Sequence, residues 1–148
     1  MMTATPSSLP TPADSMAPAD RAAFDQTTTA VRDLEGMVKR GVLTNPAKPE
    51  DGDATSKCAA IEESRPRLDV LVDPDTKKLV ADSRRLCSFE VPLLNADHAL
   101  KQVTISPSQA SRQLMCKYAS KDIDKARAVK PGDRRVRDLD ARFTRSCR

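Results

Sequence analysis

Cysteine and arginine are the residues of this sequence whose types and spacing could do chemistry. Cys58, Cys87, Cys116 and Cys147 stand 29, 29 and 31 residues apart. A cysteine sulfur can ligate a metal, act as a nucleophile or redox partner, or close a disulfide. Structural zinc sites draw their ligands in close pairs about two to four residues apart, which these spacings do not supply. A Cys-x-x-Cys motif is absent as well, which argues against thioredoxin-like redox work and c-type haem attachment. Disulfides remain, and their partners can be argued from turn positions. Midway between Cys58 and Cys87 lies Val72-Asp73-Pro74-Asp75, and midway between Cys116 and Cys147 lies Lys130-Pro131-Gly132-Asp133. Both are chain-reversal signals. Two cysteines equidistant from a turn face each other across an antiparallel hairpin, so the spacing predicts the pairs Cys58–Cys87 and Cys116–Cys147. Four cysteines admit three pairings, and reduced cysteines buried as small hydrophobes in a cytosolic protein are the alternative.

Other catalytic signals are sparse. His98 is the only histidine, so a Ser-His-Asp or Cys-His site would have to use it, and no Gly-x-Ser-x-Gly elbow accompanies it. It reads as a surface side chain on a short helix. The four glycines, at positions 36, 41, 52 and 132, cannot form a phosphate-binding loop. Paired carboxylates at Glu62-Glu63, Asp122/Asp124 and Asp138/Asp140 are each flanked by Lys or Arg, the pattern of a solvated helix face. Neither a metal nor a cofactor is expected.

Charge is more informative. Residues 1 to 100 carry 12 Lys/Arg against 16 Asp/Glu, a net of −4, whereas residues 101 to 148 carry 13 against 5, a net of +8. Arg134, Arg135, Arg137, Arg142 and Arg145 crowd the last 15 residues, with Arg148 beyond them. Arginine presents a planar fork suited to bidentate recognition of carboxylate or phosphate. These five are the candidate partner-binding residues. The plainer reading is that they solvate a helix face and pair with acids of the first half, including Asp69, Asp73 and Asp75. An acidic protein is the favoured partner and an anionic membrane surface the next. Nucleic acid ranks last, because Phe24, Phe89, Phe143 and Tyr118 are the only aromatics and no duplex-reading motif accompanies the basic segment.

The elements that must position these residues are helices. A chain of 148 residues suits one domain, and a core of Leu, Val, Ile, Ala and Met with few aromatics suits helix packing. Residues 1–17, rich in Pro, Ser and Thr, read as a disordered leader or tether, and residues 18–148 as a single helical domain. Phe24, Thr27, Val31, Leu34 and Val38 mark one face of a helix from Pro18 to Arg40, with Gly41 to end it. Val42 to Gly52 is a loop. Asp53 or Thr55 can cap a second helix with the stripe Cys58, Ile61, Leu68 and Val72, which Pro66 should kink or divide. A third helix, after Asp73-Pro74, carries Leu79, Val80, Leu86 and Cys87 and stops near Pro92. Asn95 can cap a short helix through Ala99, Leu100 and Val103. Ser106 as cap and Pro107 as first residue open a longer one bearing Cys116, Ala119, Ile123 and Ala126, flanked by Leu114, Met115 and Tyr118. Val136, Leu139, Phe143 and Cys147 form the stripe of the last helix.

The expected fold is therefore all-α: two disulfide-stapled antiparallel hairpins, at about residues 53–91 and 107–148, plus an N-terminal helix. The hairpins resemble each other in order, as an internal duplication would. No run of this sequence approaches the ~20 apolar residues of a membrane-spanning helix, and residues 1–6 lack the basic and apolar regions of a secretory signal. Disulfides nonetheless imply a periplasmic or secreted mature chain; reduced cysteines would imply the cytoplasm. The functional expectation is a non-enzymatic exported interaction protein. The alternatives are a small helical enzyme for an anionic metabolite, or a peripheral binder of anionic membranes.

Overall fold

The computed structural model describes residues 16–44 and 52–148, and these residues form an all-helical bundle. α1 spans Pro18–Arg40, α2 Ala54–Asp69, α3 Pro74–Arg85, α4 Val91–Ile105, α5 Gln109–Val129 and α6 Arg134–Cys147. Nearly all of the expected leader at residues 1–17, and most of the expected loop at 42–52, lie outside the described residues.

Local signals set most helix ends. Gly41 takes a left-handed φ of 68°, which glycine adopts without steric cost. The Gly41 and Val42 amides then close α1 by donating to the carbonyls of Val38 and Met37, at 3.1 and 3.0 Å. Asp53, Asp73 and Asp133 cap α2, α3 and α6 by accepting from the amides of Ser56, Thr76 and Arg135, at 2.8, 2.9 and 2.8 Å. α5 begins later than expected. Ser108, not Ser106, is its cap, because the Ser106 hydroxyl is engaged with the Gln102 carbonyl at the end of α4 (2.7 Å). α2 also runs through Pro66 without a break. Pro66 sits in the last turn, so the one ladder bond it removes is that to the carbonyl of Glu62, an exposed residue. Val72, expected on the α2 stripe, lies beyond the helix end in the turn and is 79% exposed.

The largest departure concerns Pro92. It does not end a helix: α3 passes through a π turn at Leu86–Glu90 directly into α4. The result is one rod of 32 residues from Pro74 to Ile105, about 48 Å long. Proline lacks an N–H, and in a regular helix its ring would crowd the carbonyl four residues back. The wide turn just before it, in which the Val91 amide bonds the Leu86 carbonyl, makes that accommodation.

Two apolar clusters pack along this rod. The first joins Val31, Leu34 and Met37 of α1, Ile61 and Leu68 of α2, and Leu79, Leu86, Cys87 and Val91 of the rod. The second joins Phe89, Leu93, Ala96 and Leu100 of the rod with Ala119, Ile123 and Ala126 of α5 and Val136 and Leu139 of α6. Each cluster is thus built from one hairpin and one further helical segment: α1 joins the α2–α3 hairpin, and α4 joins the α5–α6 hairpin.

Both staples form as the turn symmetry predicts. Cys58 bonds Cys87 and Cys116 bonds Cys147, with Cα separations of 5.5 and 5.7 Å, within the span a disulfide requires. Two such bonds suit an oxidising, exported environment. Among the described residues, no helix is long and apolar enough to cross a membrane.

Protein purified without reductant should therefore take up no alkylating agent, and non-reducing peptide mapping should return these two pairs alone. Replacing either pair with serine should remove about 3–4 kcal/mol of stability by freeing the unfolded chain, seen as a lower denaturant midpoint. A loss well under ~1 kcal/mol would mean that helix packing, not the bond, closes that hairpin.

Candidate protein interface

The basic segment folds into the second hairpin, and the structure divides its arginines into two groups. α6 turns Val136 and Leu139 into the core, with Phe143 and Cys147 partly covered. At about 100° per residue, this leaves positions 135 and 142 on the flank facing α4, and positions 134, 137 and 145 facing outward.

Arg135 grips Glu90 with both ends of its fork, Nη1 to Oε2 at 2.8 Å and Nη2 to Oε1 at 3.2 Å. Its Nε also reaches Asp133 at 3.3 Å. Its guanidinium lies 5.1 Å from the Phe89 ring centre, and the Lys130 ammonium lies 4.9 Å from the same ring. About two turns further along α6, Arg142 donates to Asp97 at 2.6 Å. Both residues therefore tie α6 to the rod. Arg127 makes the corresponding tie on the other flank, reaching Asp124 of its own helix at 2.6 Å and Asp140 of α6 at 2.9 Å.

The other three of the five candidate arginines face solvent. Arg134 has only a long contact with Asp138, 3.8 Å one turn away. Arg137 and Arg145 are exposed and form no ion pair among the described residues. The alternative in which arginines pair with acids of the first half holds for Arg135 and Arg142, but the acids are Glu90 and Asp97. Of the three named from sequence, Asp69 instead pairs with Arg84 at 3.3 Å, Asp73 caps α3, and Asp75 is exposed.

α5 adds cations that the arginine pattern overshadowed. Lys117, Lys121 and Lys125 are exposed with no ion pair among the described residues, and Leu114, Tyr118 and Val129 are 45%, 47% and 46% exposed on the same helix. Leu114 and Tyr118 flank the buried stripe in sequence, but the side of α5 left uncovered depends on where α4 and α6 pack. Asp122 is half-buried beside these lysines. Burial pushes its carboxyl up from the ordinary carboxylate range, against the opposing pull of Lys125 and Lys121.

Beside the α6 tethers lies a cavity of about 310 Å³. Leu93, Leu94 and Leu139 form its apolar wall with Val38 of α1, and Glu90, Asp97, Arg135, Asp138 and Arg142 supply its polar groups. A second cavity of about 480 Å³ shares Leu94 and Asp97 with it and reaches His98, Lys101, Asp53 and the end of α1. His98 is exposed on α4, as expected of a surface side chain, although its helix is part of the long rod. All four cysteines are bonded, so no thiol is available as a nucleophile.

Asp97 shows how the α6 tether works. Partial burial raises its pKa, but hydrogen bonds from Arg142 and Lys101 outweigh this and hold the carboxyl below the ordinary value. Its contribution to stability is thus complete above the unfolded pKa of about 3.9 and is lost as pH falls through the lower folded value. Asp97→Asn should cost about 1 kcal/mol near neutral pH, because the pair is only partly shielded from solvent. The gap between variant and parent melting temperatures should then close as the pH drops below about 4. A gap that stays constant into acid would show that the Arg142 contact carries no ionic contribution.

No protein-family model, curated protein or solved structure significantly matches this chain.

Proposed function

We propose that this is a non-enzymatic exported protein, periplasmic or secreted, which binds an acidic protein partner through the basic face of the α5–α6 hairpin. The observation that carries this reading is the division of the arginines. Arg135 and Arg142 are engaged with Glu90 and Asp97, while Arg134, Arg137 and Arg145 stand outward on a helix held at one end by a disulfide and along its flank by those ion pairs. A rigid support spares a binding surface part of the ordering cost of association, and a concentration of like charge speeds encounter with an oppositely charged protein.

A second reading has one observation in its favour. The 310 Å³ cavity brings Arg135, Arg142 and Glu90 around an apolar wall, the kind of pocket a small helical enzyme would offer an anionic metabolite. Each of its arginines already has an intramolecular carboxylate, so an anionic ligand would have to compete with Glu90 and Asp97 for the same forks. Of the outward arginines, Arg137 and Arg145 face no such competitor among the described residues and Arg134 only the long contact with Asp138, and the binding reading is therefore preferred.

Retention on immobilised poly-glutamate, followed by elution with salt, tests the charged face. The triple variant Arg134→Ala, Arg137→Ala, Arg145→Ala should elute at markedly lower salt than the parent, with stability changed by no more than about 0.5 kcal/mol because the three side chains are exposed. Arg142→Ala, by contrast, should lower stability and barely change retention. Equal retention of the triple variant and the parent would overturn the assignment of the contact to α6. Calorimetric titration with citrate addresses the cavity: saturable binding lost in Arg135→Ala would favour the second reading.

A further inference from the structure

The outer surface of α5 carries a stripe distinct from the outward arginines of α6. Leu114, Tyr118, Lys121, Lys125 and Val129 follow one another at steps of four, three, four and four, which places them along one side of a helix. All five are exposed, and the stripe runs about 22 Å. Its two ends are apolar and its centre is cationic. The inner side of the same helix is fully used: Ala119, Ile123 and Ala126 are buried, and Cys116 is bonded to α6.

The stripe lies away from the side of α5 that packs into the core. A tyrosine nearly half exposed, with a leucine one turn away, is the kind of aromatic side chain enriched at protein interfaces. The charge around them has one sign to spare. Lys117, Lys121 and Lys125 make no ion pair among the described residues, and of the two nearby carboxylates Asp124 is held by Arg127 at 2.6 Å. Asp122 is the one carboxylate left beside the lysines, and it is half-buried.

We infer that this stripe receives an amphipathic acidic helix of a partner protein, laid along α5 so that its carboxylates meet Lys121 and Lys125 and its apolar side chains cover Leu114 with Tyr118 at one end and Val129 at the other. The pattern of the stripe chooses a protein helix over a lipid surface. The apolar groups are split between the ends of a cationic centre, a pattern that another helix can match residue by residue, whereas an interfacial membrane helix presents a continuous apolar side. This inference rests on the proposed function and refines it, because it moves the centre of the contact from the arginines of α6 to α5.

The test uses the intact oxidised chain and a fluorescent synthetic helical peptide with glutamates at the centre of its contact stripe and leucines at both ends. Two control peptides replace the glutamates with lysine or the leucines with serine. The glutamate-leucine peptide should bind at least tenfold more tightly than either control, by anisotropy. Lys121→Glu with Lys125→Glu should abolish its binding and restore binding to the lysine peptide, a rescue that misfolding cannot produce. Leu114→Ser with Tyr118→Ser should weaken binding at least tenfold with unchanged circular dichroism. Failure of the peptide to bind, or binding indifferent to all these changes, overturns the inference. So does binding to phosphatidylglycerol vesicles, but not to the peptide, that the same substitutions abolish. If the Arg134, Arg137 and Arg145 alanine variant loses retention on poly-glutamate while the α5 variants keep peptide binding, the arginine face stands and the stripe falls. If the α5 variants alone lose binding, the stripe stands and the arginine face falls.

Discussion

Cys87 and Phe89 are two residues apart, yet each belongs to a different core. Cys87 is bonded to α2, while Phe89 is wholly buried in the cluster formed by α4, α5 and α6. The π turn between α3 and α4 sits at this divergence. One extra residue in a helical turn puts each later side chain where its predecessor would have stood. Val91 thereby takes the inward place one wide turn beyond Leu86 and completes the first cluster. Glu90 is left free to receive the Arg135 fork, and Leu93, Ala96 and Leu100 turn towards α5 and α6. If the rod were a regular helix throughout, a glutamate would compete with a valine for the first core, at the cost of burying a charge.

The rod also explains why the basic hairpin is not a loosely attached appendage. Its turn is anchored from the side of the rod. Phe89 emerges from the π turn beneath Lys130 and Arg135, which flank the Pro131-Gly132 reversal, and Glu90 holds Arg135 from the next position. At the other end of the hairpin the Cys116–Cys147 bond closes α6 onto α5. The two hairpin units follow the same order, one helix and then a stapled pair, and both depend on the rod for part of their core. Two clusters on one shared helix bury more apolar surface than either hairpin could alone, and this matters for a chain with four aromatic side chains.

Positive charge in the second half divides between structural and outward roles. Arg127, Arg135 and Arg142 bind carboxylates of neighbouring helices and fix how α6 lies on α4 and α5. Arg134, Arg137 and Arg145, with Lys117, Lys121 and Lys125, are among those left facing outward. Sequence composition registers all of these as one basic segment. The difference between them is set by about 100° of helix rotation per residue and by which flank another helix occupies.

Much of the fold was legible from local chemistry. The disulfide pairs followed from the positions of turns, the Asp53 cap and the glycine stop from backbone hydrogen bonding, and the stripes of α1, α5 and α6 from helical periodicity, because each depends on residues close in sequence. Pro92 misled, since a proline that ends an isolated helix can be accommodated by a wide turn, and only packing on two cores makes that turn worthwhile. Ser106 misled because its hydroxyl has two helix ends to serve and tertiary geometry chose the earlier one. The candidate site divides in the same way: the sequence by itself determined that the last helix is amphipathic and rich in arginine. Which arginines are taken by Glu90 and Asp97, and that Leu114 and Tyr118 stay nearly half exposed, was decided only by the tertiary structure, because these depend on contacts between residues up to 45 positions apart that no local pattern encodes.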